Sequence, residues 1–359
     1  MSEQLTTESA PHHGGNLQRA IRQYGGETCD WLDLSTGISP YSWPVEQVLK
    51  NAPKSCWQQL PDQNLYTDAQ FAAADYYSTL FDINGNQPLL AAGTQAIIQQ
   101  LPYFFADSVF QRDCQQLSIW LLAGSYGEHQ FRWQQAGVQV VEKSEAELRQ
   151  ALTQQDSELP DVLLLVNPDN PSGVLWSMAD IQRWQQKLAR QKGWLILDCA
   201  FADVAQSSGE NIIPAADNQL ILTSVGKFFG LAGLRLGACF LPQRFSEQLR
   251  QRLGPWPVSG LSLWLLAQAL TDKQWQNTQH QRIKNLQQQL LESCCHLPVY
   301  GASGLFITLK SELAEDWQRQ MARQKLWTRC FKQQHLLRIG LPRQEELSRV
   351  INALKELMV

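Results

Sequence analysis

The strongest constraint on the fold is a regular alternation of short apolar segments and amphipathic segments between residues 87 and 241. The segment Val162–Val166 is wholly apolar, which is typical of a strand buried on both faces of a sheet. Because helical periodicity separates such segments, the pattern favours an α/β fold with a mostly parallel sheet covered by helices. The predicted strands are residues 89–92, 117–123, 138–141, 162–166, 194–197, 220–223 and 238–241, and the predicted helices are residues 94–105, 128–135, 145–152 and 179–191.

The pattern changes after residue 241. Residues 261–292 predict one or two long helices with a break near Thr271. A chain of 359 residues has room for about two domains. Short strands are predicted at 305–309, 327–331 and 336–339, with a helix at 314–324.

We therefore predict three parts. Residues 1–40 form an N-terminal arm that belongs to a smaller α+β domain and to the substrate site. Residues 41–290 form the large domain, and residues 291–359 form the remainder of the small one.

The composition argues against several classes of partner. A formal net charge of −4 gives no electrostatic reason to expect nucleic-acid or anionic-membrane binding, although local basic residues can still hold a small anion. No apolar run reaches the roughly 20 residues that span a bilayer, and residues 1–10 lack the basic start and apolar stretch of an export signal. The eight cysteines have no C-x-x-C spacing, which indicates reduced thiols and no metal site. We expect a cytoplasmic protein.

The strongest chemical signal is the glycine-rich segment from Ser224 to Arg235, which contains Lys227. A single lysine in such a loop is usually a solvated residue. Here it follows a predicted strand, at the sheet edge where this class of fold binds ligands. The hydroxyl of Ser224 and the guanidinium of Arg235 both suit a phosphate group.

Three further segments place polar groups directly after predicted strands. The turn that contains Asn170 follows residues 162–166, and Asp198 follows residues 194–197. Gly93, Thr94 and Gln95 open a predicted helix, where exposed backbone N–H groups can hold a phosphate. Each segment also has an ordinary structural explanation, namely a turn, a helix N-cap and a helix start.

Taken together and in this order, these segments resemble the aspartate-aminotransferase-like superfamily of pyridoxal-phosphate enzymes (fold type I). The resemblance implies that Lys227 binds pyridoxal 5'-phosphate as an imine and that Asp198 keeps the pyridine nitrogen protonated. It also implies that the Asn170 amide donates a hydrogen bond to the 3′ oxygen of the cofactor. Transaminating members commonly have a tyrosine three positions after the aspartate, whereas this chain has Phe201.

Two tyrosines have counterparts in the same superfamily. Tyr126, in the segment Ser125-Tyr126-Gly127-Glu128-His129, corresponds to the aromatic residue that stacks on the pyridine ring, and His129 is expected to play a supporting role. Tyr66 lies in a segment similar to the superfamily's Y-P-D motif. In relatives that tyrosine reaches the cofactor phosphate of the neighbouring subunit, which implies a homodimer.

The two ends of the chain resemble the threonine-phosphate decarboxylases of cobalamin biosynthesis. The start His13-Gly14-Gly15-Asn16, with the later segment that contains Gly37, matches their N-terminal motifs, apart from Ser39 where asparagine is usual. The resemblance implies that Arg338 binds the substrate carboxylate and that Arg329 and His13 bind its phosphate. Asn170 and Gly37 are also expected at the substrate. Phe201 fits this subfamily as well, although Cys199 replaces its usual glutamate.

The expected reaction is decarboxylation of L-threonine O-3-phosphate to (R)-1-amino-2-propanol O-2-phosphate by a pyridoxal-phosphate-dependent lyase. An aminotransferase acting on a phosphorylated amine such as histidinol phosphate is the alternative enzyme, since the same residues can transaminate. A non-catalytic regulator is a third hypothesis, against which Lys227, Asp198 and Arg235 together argue. Transient contact with other cobalamin biosynthesis enzymes stays open.

Overall fold

A computed structural model describes residue 11 and residues 13–83, 85–154, 158–205 and 213–357. Residues 1–10, on which the expectation about an export signal rests, lie outside the described residues. The same holds for His12 and for the last two residues of the predicted small domain.

The predicted α/β fold is confirmed. The strands are Leu32–Asp33 (β1), Leu89–Ala91 (β2), Ser118–Leu122 (β3), Gln139–Lys143 (β4), Val162–Val166 (β5), Trp194–Asp198 (β6), Gln219–Ser224 (β7), Gly237–Phe240 (β8), Val299–Ser303 (β9), Phe306–Lys310 (β10), Leu326–Trp327 (β11), Arg329–Phe331 (β12) and Leu336–Gly340 (β13).

Helices alternate with these strands through most of the described chain. They are Leu17–Tyr24 (α1), Val45–Leu49 (α2), Ser55–Gln58 (α3), Gln63–Tyr77 (α4), Thr94–Ile98 (α5), Leu101–Phe104 (α6), Gly127–Gln135 (α7), Glu145–Thr153 (α8), Met178–Arg190 (α9), Ala202–Ala205 (α10), Gln243–Leu253 (α11), Gly260–Thr271 (α12), Lys273–Ser293 (α13), Ala314–Arg323 (α14) and Leu347–Lys355 (α15).

The large sheet has seven strands in the order β2-β8-β7-β6-β5-β3-β4. Neighbouring strands are parallel from β7 to β4, whereas β8 runs antiparallel to both β2 and β7. Every residue of β5 and β6 is buried, as expected for central strands with helices on both faces. The carboxyl ends of β5, β6 and β7 therefore lie side by side at one edge.

A second sheet is antiparallel and has the order β12-β13-β10-β9. In addition, β1 pairs in parallel with β11, so that Leu32 faces Leu326 and the N-terminal segment lies against the C-terminal one. The assignment of residues 1–40 to the small domain stays a prediction. The exact division at residues 40 and 290 stays a prediction.

Two expected elements are divided in the structure. The helix predicted over residues 94–105 is split into α5 and α6, followed by a π-helix over Phe105–Phe110. In one continuous helix, the residue at position 102 would donate its backbone N–H to the Ile98 carbonyl oxygen, and proline has no N–H to donate. In the first turn of α6, where Pro102 lies, no N–H has a partner within the helix, so proline is tolerated there. The strand predicted over residues 327–331 is likewise interrupted at Thr328, because β11 pairs with β1 while β12 pairs with β13.

No helix within the described ranges is long and apolar enough to cross a membrane.

A buried carboxyl group behind the sheet edge gives a prediction about stability. Asp203 is 1% exposed, and its Oδ1 accepts a hydrogen bond of 2.8 Å from the Tyr76 hydroxyl. Burial raises the pKa of Asp203 from 3.8 to about 7. Between these values the folded protein binds more protons than the unfolded chain, so the contribution of Asp203 to stability is lost as pH rises from about 4 to about 7.

We expect Asp203→Asn to raise the free energy of unfolding relative to wild type at both pH 5 and pH 8, and by on the order of 2 kcal/mol more at pH 8 than at pH 5. Urea unfolding at both pH values measures the difference. The control is Asp75→Asn, since the Asp75 side chain is 71% exposed and pairs with Lys273 at the surface. Equal effects of Asp203→Asn at the two pH values would contradict the assignment.

Candidate active site

The sheet edge brings together three residues that the sequence placed after separate strands. Asp198 ends β6, Lys227 follows β7, and Asn170 lies in the turn after β5. The backbone N–H of Asn167 donates to the Asp198 carbonyl at 2.8 Å, which fixes the turn against the end of β6. Ligand sites in sheets of this class lie at this edge, so the cluster is the candidate active site.

Lys227 presents an amine in a largely desolvated position. Its Nζ lies 3.5 Å from the Thr36 carbonyl oxygen and 5.4 Å from the centre of the Phe201 ring. Burial, reinforced by the nearby Arg338 cation, lowers the pKa of Lys227 to about 8, although the Asp198 carboxylate opposes this shift. A larger fraction of the amine is therefore neutral and nucleophilic near pH 7 than for an exposed lysine.

Asp198 is held in a fixed orientation beneath the site. The side chain is 3% exposed, and its Oδ2 lies 2.9 Å from Nε2 of the buried His129. Its Oδ1 accepts a hydrogen bond from the backbone N–H of Ala200 at 3.1 Å. The supporting role of His129 stays a prediction.

Tyr126 covers this pair from the start of α7. Its ring packs edge-on against the His129 ring, with 5.8 Å between the centroids. Burial, together with the carboxylates of Asp198 and Glu128, raises the pKa of Tyr126 to about 12, so the phenol stays protonated at neutral pH. An aromatic face is therefore available directly beside Asp198.

The segment that begins α5 forms a concave, cationic surface. Gly93 has φ 76°, and a Cβ there would lie 2.8 Å from a guanidinium nitrogen of Arg235. A Cβ on Gly237 would lie 2.5 Å from the backbone nitrogen of Thr94, so both glycines are needed for this close approach. Ser224 lies at the end of the adjacent β7.

This surface fits a phosphate group. Arg235 is exposed, and no hydrogen bond or ion pair within the described residues engages its guanidinium. A cation without a carboxylate partner, beside the free N–H groups at the start of a helix, is suited to an anion. The predicted cofactor phosphate is such a group.

Arg338 closes the site from the second sheet. It lies on β13 and is only 4% exposed, and its guanidinium donates to Oδ1 of Asn170 and to the carbonyl oxygen of Ser35. Burial lowers the pKa of Arg338 to about 9, and the neighbouring Arg329 cation contributes. Its contact with the oxygen of Asn170 leaves the amide NH₂ of Asn170 as a donor towards a ligand.

His13 and Arg329 lie together on the wall of an adjoining cavity of about 920 Å³. Arg329 donates to the His13 carbonyl oxygen at 2.7 Å, and burial lowers the pKa of Arg329. The two residues are 316 positions apart in sequence, so only the tertiary structure joins them. Other cavity-lining residues include Gly15, Arg19, Ser35, Trp327 and Lys332.

The remaining two predicted site residues lie at the edges of this arrangement. Gly37 has φ 62°, and a Cβ there would contact the rings of Phe201 and Phe306 at 3.4 to 3.5 Å. The Tyr66 hydroxyl donates to the Leu90 carbonyl oxygen at 2.8 Å within its own chain. Its contact with a neighbouring subunit stays a prediction.

Sequence reasoning did not select Glu128 as a site residue. The structure shows this carboxylate 6% exposed, bonded to His13 and to Gln95. A carboxylate in the first turn of a helix is common for electrostatic reasons alone, so its position in the sequence carried no specific signal. Only the contact with His13 distinguishes it.

Ser39 and Cys199, the two residues that differ from the motifs of the decarboxylase family, are both buried. Ser39 is buried, and its hydroxyl accepts a hydrogen bond of 2.6 Å from the Gln279 amide. Cys199 is 1% exposed behind Asp198. No cluster of three or more metal-ligating side chains occurs among the residues that the structure describes.

Comparison with known proteins identifies relatives over most of the chain. The chain is 37% identical to the threonine-phosphate decarboxylase of Pseudomonas aeruginosa over 335 residues, which cover 93% of each chain. It is 23% identical to an adenosylcobalamin biosynthesis bifunctional protein of Leptospira interrogans, over 96% of this chain and 40% of that one. A structure of histidinol-phosphate aminotransferase from Sinorhizobium meliloti in complex with pyridoxal-5'-phosphate has the same fold, with a TM-score of 0.77, 18% identity, and 94% and 93% of the two chains covered.

The family model for aminotransferase class I and II matches residues 29–354, which include almost all of both sheets and of the candidate site. This chain belongs to the aminotransferase class I and II family.

Proposed function

We propose that this chain is a pyridoxal-phosphate-dependent lyase that decarboxylates L-threonine O-3-phosphate to (R)-1-amino-2-propanol O-2-phosphate in cobalamin biosynthesis. The observation that carries the proposal is the placement of two separate arginines, Arg338 and Arg329, around the amine of Lys227 and the adjoining cavity. Arg338 lies next to Lys227, and Arg329 lies with His13 on the wall of the adjoining cavity. A substrate with a carboxylate at one end and a phosphate at the other fits these two positions. The similarity to the Pseudomonas decarboxylase over nearly the whole chain supports the assignment.

The residues present suit pyridoxal phosphate. Lys227 would attach it covalently, Asp198 would hold the proton on the pyridine nitrogen, and Tyr126 would cover the ring. The Asn170 amide would donate to the 3′ oxygen. The phosphate would be held by Gly93, Thr94, Gln95, Ser224 and Arg235, with Tyr66 of a neighbouring subunit. When bound, the cofactor supplies an electron sink for the electron pair left at the α-carbon.

The two arginines would set the orientation of the substrate. Arg338 would bind the α-carboxylate, while Arg329 and His13 would bind the phosphate and Gly37 would line the site. Clamping both ends fixes which bond of the α-carbon can break, since free rotation is lost. Lys227 or a water molecule would then give the proton that replaces the carboxyl group; an amine with a pKa of about 8 can donate and accept near neutral pH.

Phe201 fits the same proposal. Its ring packs edge-on against Phe306 at 5.3 Å and lies near the Lys227 amine. No phenol is therefore present at the position where transaminating relatives commonly have one. The Asn170 amide is left as the donor proposed for the 3′ oxygen.

We further propose a homodimer. Large apolar side chains are exposed on the segments around α3 and α4 and just before α12, and α12 packs against both of these helices. Tyr66 lies on α4 in the same region. These exposed side chains are Trp57, Leu60, Phe71 and Trp256.

A cytoplasmic location is proposed as well. All eight cysteines are free thiols, as expected in a reducing compartment. Transient contact with other cobalamin biosynthesis enzymes stays open.

The reaction is tested by incubating the holoenzyme with O-phospho-L-threonine and measuring CO₂. We expect CO₂ release, and we expect Lys227→Ala to abolish it because the buried amine is lost. Lys50→Ala is the control, since Lys50 is exposed at the end of α2. Formation of glutamate from 2-oxoglutarate and histidinol phosphate, without CO₂ from O-phospho-L-threonine, would instead identify an aminotransferase.

The electrostatic setting of Lys227 gives a second prediction. In the cofactor-free protein, labelling of Lys227 by trinitrobenzenesulfonate should have a midpoint near pH 8. Arg338→Gln should move this midpoint to higher pH, because the guanidinium no longer disfavours the ammonium form. Peptide mass spectrometry follows the labelling, with Arg319→Gln at the surface as the control. A lower midpoint in Arg338→Gln would contradict the proposed arrangement.

The dimer is tested by sedimentation. The wild type should sediment with twice the mass of the chain. Trp57→Arg with Trp256→Arg should weaken the association, because two cations replace apolar surface. Leu313→Arg, at an exposed site on the C-terminal segment, should leave the mass unchanged. A wild-type monomer with full activity would rule out the proposed sharing of Tyr66.

A further inference from the structure

Glu128 is a buried carboxylate with partners from three separate segments. Its Oε1 lies 2.8 Å from Nε2 of His13 in the N-terminal arm. Its Oε2 accepts hydrogen bonds from Nε2 of Gln95 at 2.5 Å and from Nε of Arg132 at 3.3 Å. A carboxylate that is only 6% exposed is costly to desolvate unless such partners compensate it.

The backbone around His13 is fixed from the other side. Arg329 donates to the His13 carbonyl oxygen at 2.7 Å, and Trp327 donates through its indole N–H to the Gly15 carbonyl oxygen at 3.1 Å. The Gly15 N–H in turn donates to the Ser35 hydroxyl at 2.7 Å. These contacts hold the main chain of the arm but not the His13 ring, and this side chain is 51% exposed at the cavity.

The His13 ring packs against the Tyr126 ring with 6.3 Å between the centroids, and its Nε2 hydrogen-bonds to Glu128. Because a ring contact does not distinguish the two nitrogens, the hydrogen bond to Glu128 sets the direction in which they point. With Nε2–H of His13 donating to the carboxylate, Nδ1 is the other ring nitrogen, and in the imidazolium form its N–H is the donor available to a phosphate in the cavity. The second oxygen of Glu128 accepts a hydrogen bond from Gln95, the second residue of α5. Gln95 follows Thr94 in the segment proposed to hold the cofactor phosphate. One side chain thus connects the two proposed phosphate-binding regions.

From this geometry, and resting on the function proposed above, we infer that Glu128 is a positioning residue for substrate recognition. It orients the His13 imidazole towards the phosphate of the substrate. Its hydrogen bond with Gln95 couples this orientation to the position of α5. Glu128 itself does not bind the substrate. Its effect is transmitted through His13, so removing its charge should weaken binding of the phosphate only while His13 is present.

A double-mutant cycle on the holoenzyme tests this inference. The proteins are the wild type, Glu128→Gln, His13→Ala and the double variant. His13 and Gln95 bond to different oxygens of Glu128, and in glutamine one of these oxygens becomes an NH₂ group, which faces a donor instead of accepting from it. We expect Glu128→Gln to raise KM for O-phospho-L-threonine about tenfold while kcat stays within about twofold. In the His13→Ala background the same change should leave KM unaltered.

The same cycle is measured with inorganic phosphate as the probe, by quenching of tryptophan fluorescence. We expect the dissociation constant for phosphate to rise in Glu128→Gln and to be unaffected by the same change in the His13→Ala background, as for KM. A role of Glu128 in catalysis or cofactor loading alone would not change phosphate binding in this way. Glu142→Gln is the matched control. Glu142 lies on β4 and accepts a hydrogen bond from Gln130 of α7, the helix that carries Glu128, but it does not contact His13. It should leave both constants unchanged.

Equal effects of Glu128→Gln with and without His13 would overturn the inference, as would a loss of kcat with KM unchanged. If Glu128→Gln fails to fold, Glu128→Asp replaces it in the cycle, since aspartate keeps the charge but is too short to span both partners. A wild type that releases no CO₂ would refute the proposed function alone, because the phosphate measurements still report the coupling of Glu128 to His13.

Discussion

The parallel pairing of β5, β6 and β7 is the constraint on which the site depends. Parallel neighbours must end at the same edge of the sheet, so residues that follow these strands become neighbours whatever their separation in sequence. Val166 pairs with Asp198, and Asp198 pairs with Leu222 two residues before the end of β7. The turn with Asn170, the carboxylate of Asp198 and the loop with Lys227 follow from this register. Because β5 and β6 are buried on both faces, the register has little freedom to slip.

The second requirement is a buried cation that joins the two sheets. Arg338 would be costly to bury alone, but it bonds to Asn170 on the large-sheet side and to Ser35 in the N-terminal segment. The Thr308 hydroxyl, on the neighbouring β10, donates to the Pro171 carbonyl at 2.6 Å. The turn after β5 is therefore held from both sheets. The charge of Arg338 also acts on Lys227 and contributes to the lowered pKa of its amine.

The N-terminal segment completes the site through contacts with distant parts of the chain. The pairing of β1 with β11 brings the segment beside Arg329, and the Ser39 N–H donates to the Lys227 carbonyl oxygen at 3.0 Å. Glu128 then adds a link between this segment and α7. The N-terminal segment, the wall of the cavity and the edge of the large sheet are thus joined by direct contacts. His13 lies where these parts meet, since it contacts both Glu128 and Arg329.

The sequence by itself determined the alternation of strands and helices, and with it the residues that lie just after the strands. Lys227, Asp198 and Asn170 could be selected in this way because apolar runs of strand length are local signals. The split of the predicted helix near Pro102 has a local cause, the missing N–H of proline. The division of residues 327–331 between two sheets depended on packing, so the local pattern did not reveal it. The tertiary structure alone decided the contacts of Glu128 with His13 and of Arg338 with Ser35, which join residues 115 and 303 positions apart. No periodicity encodes such pairs, because they arise only when separate elements pack together and buried charges must find partners.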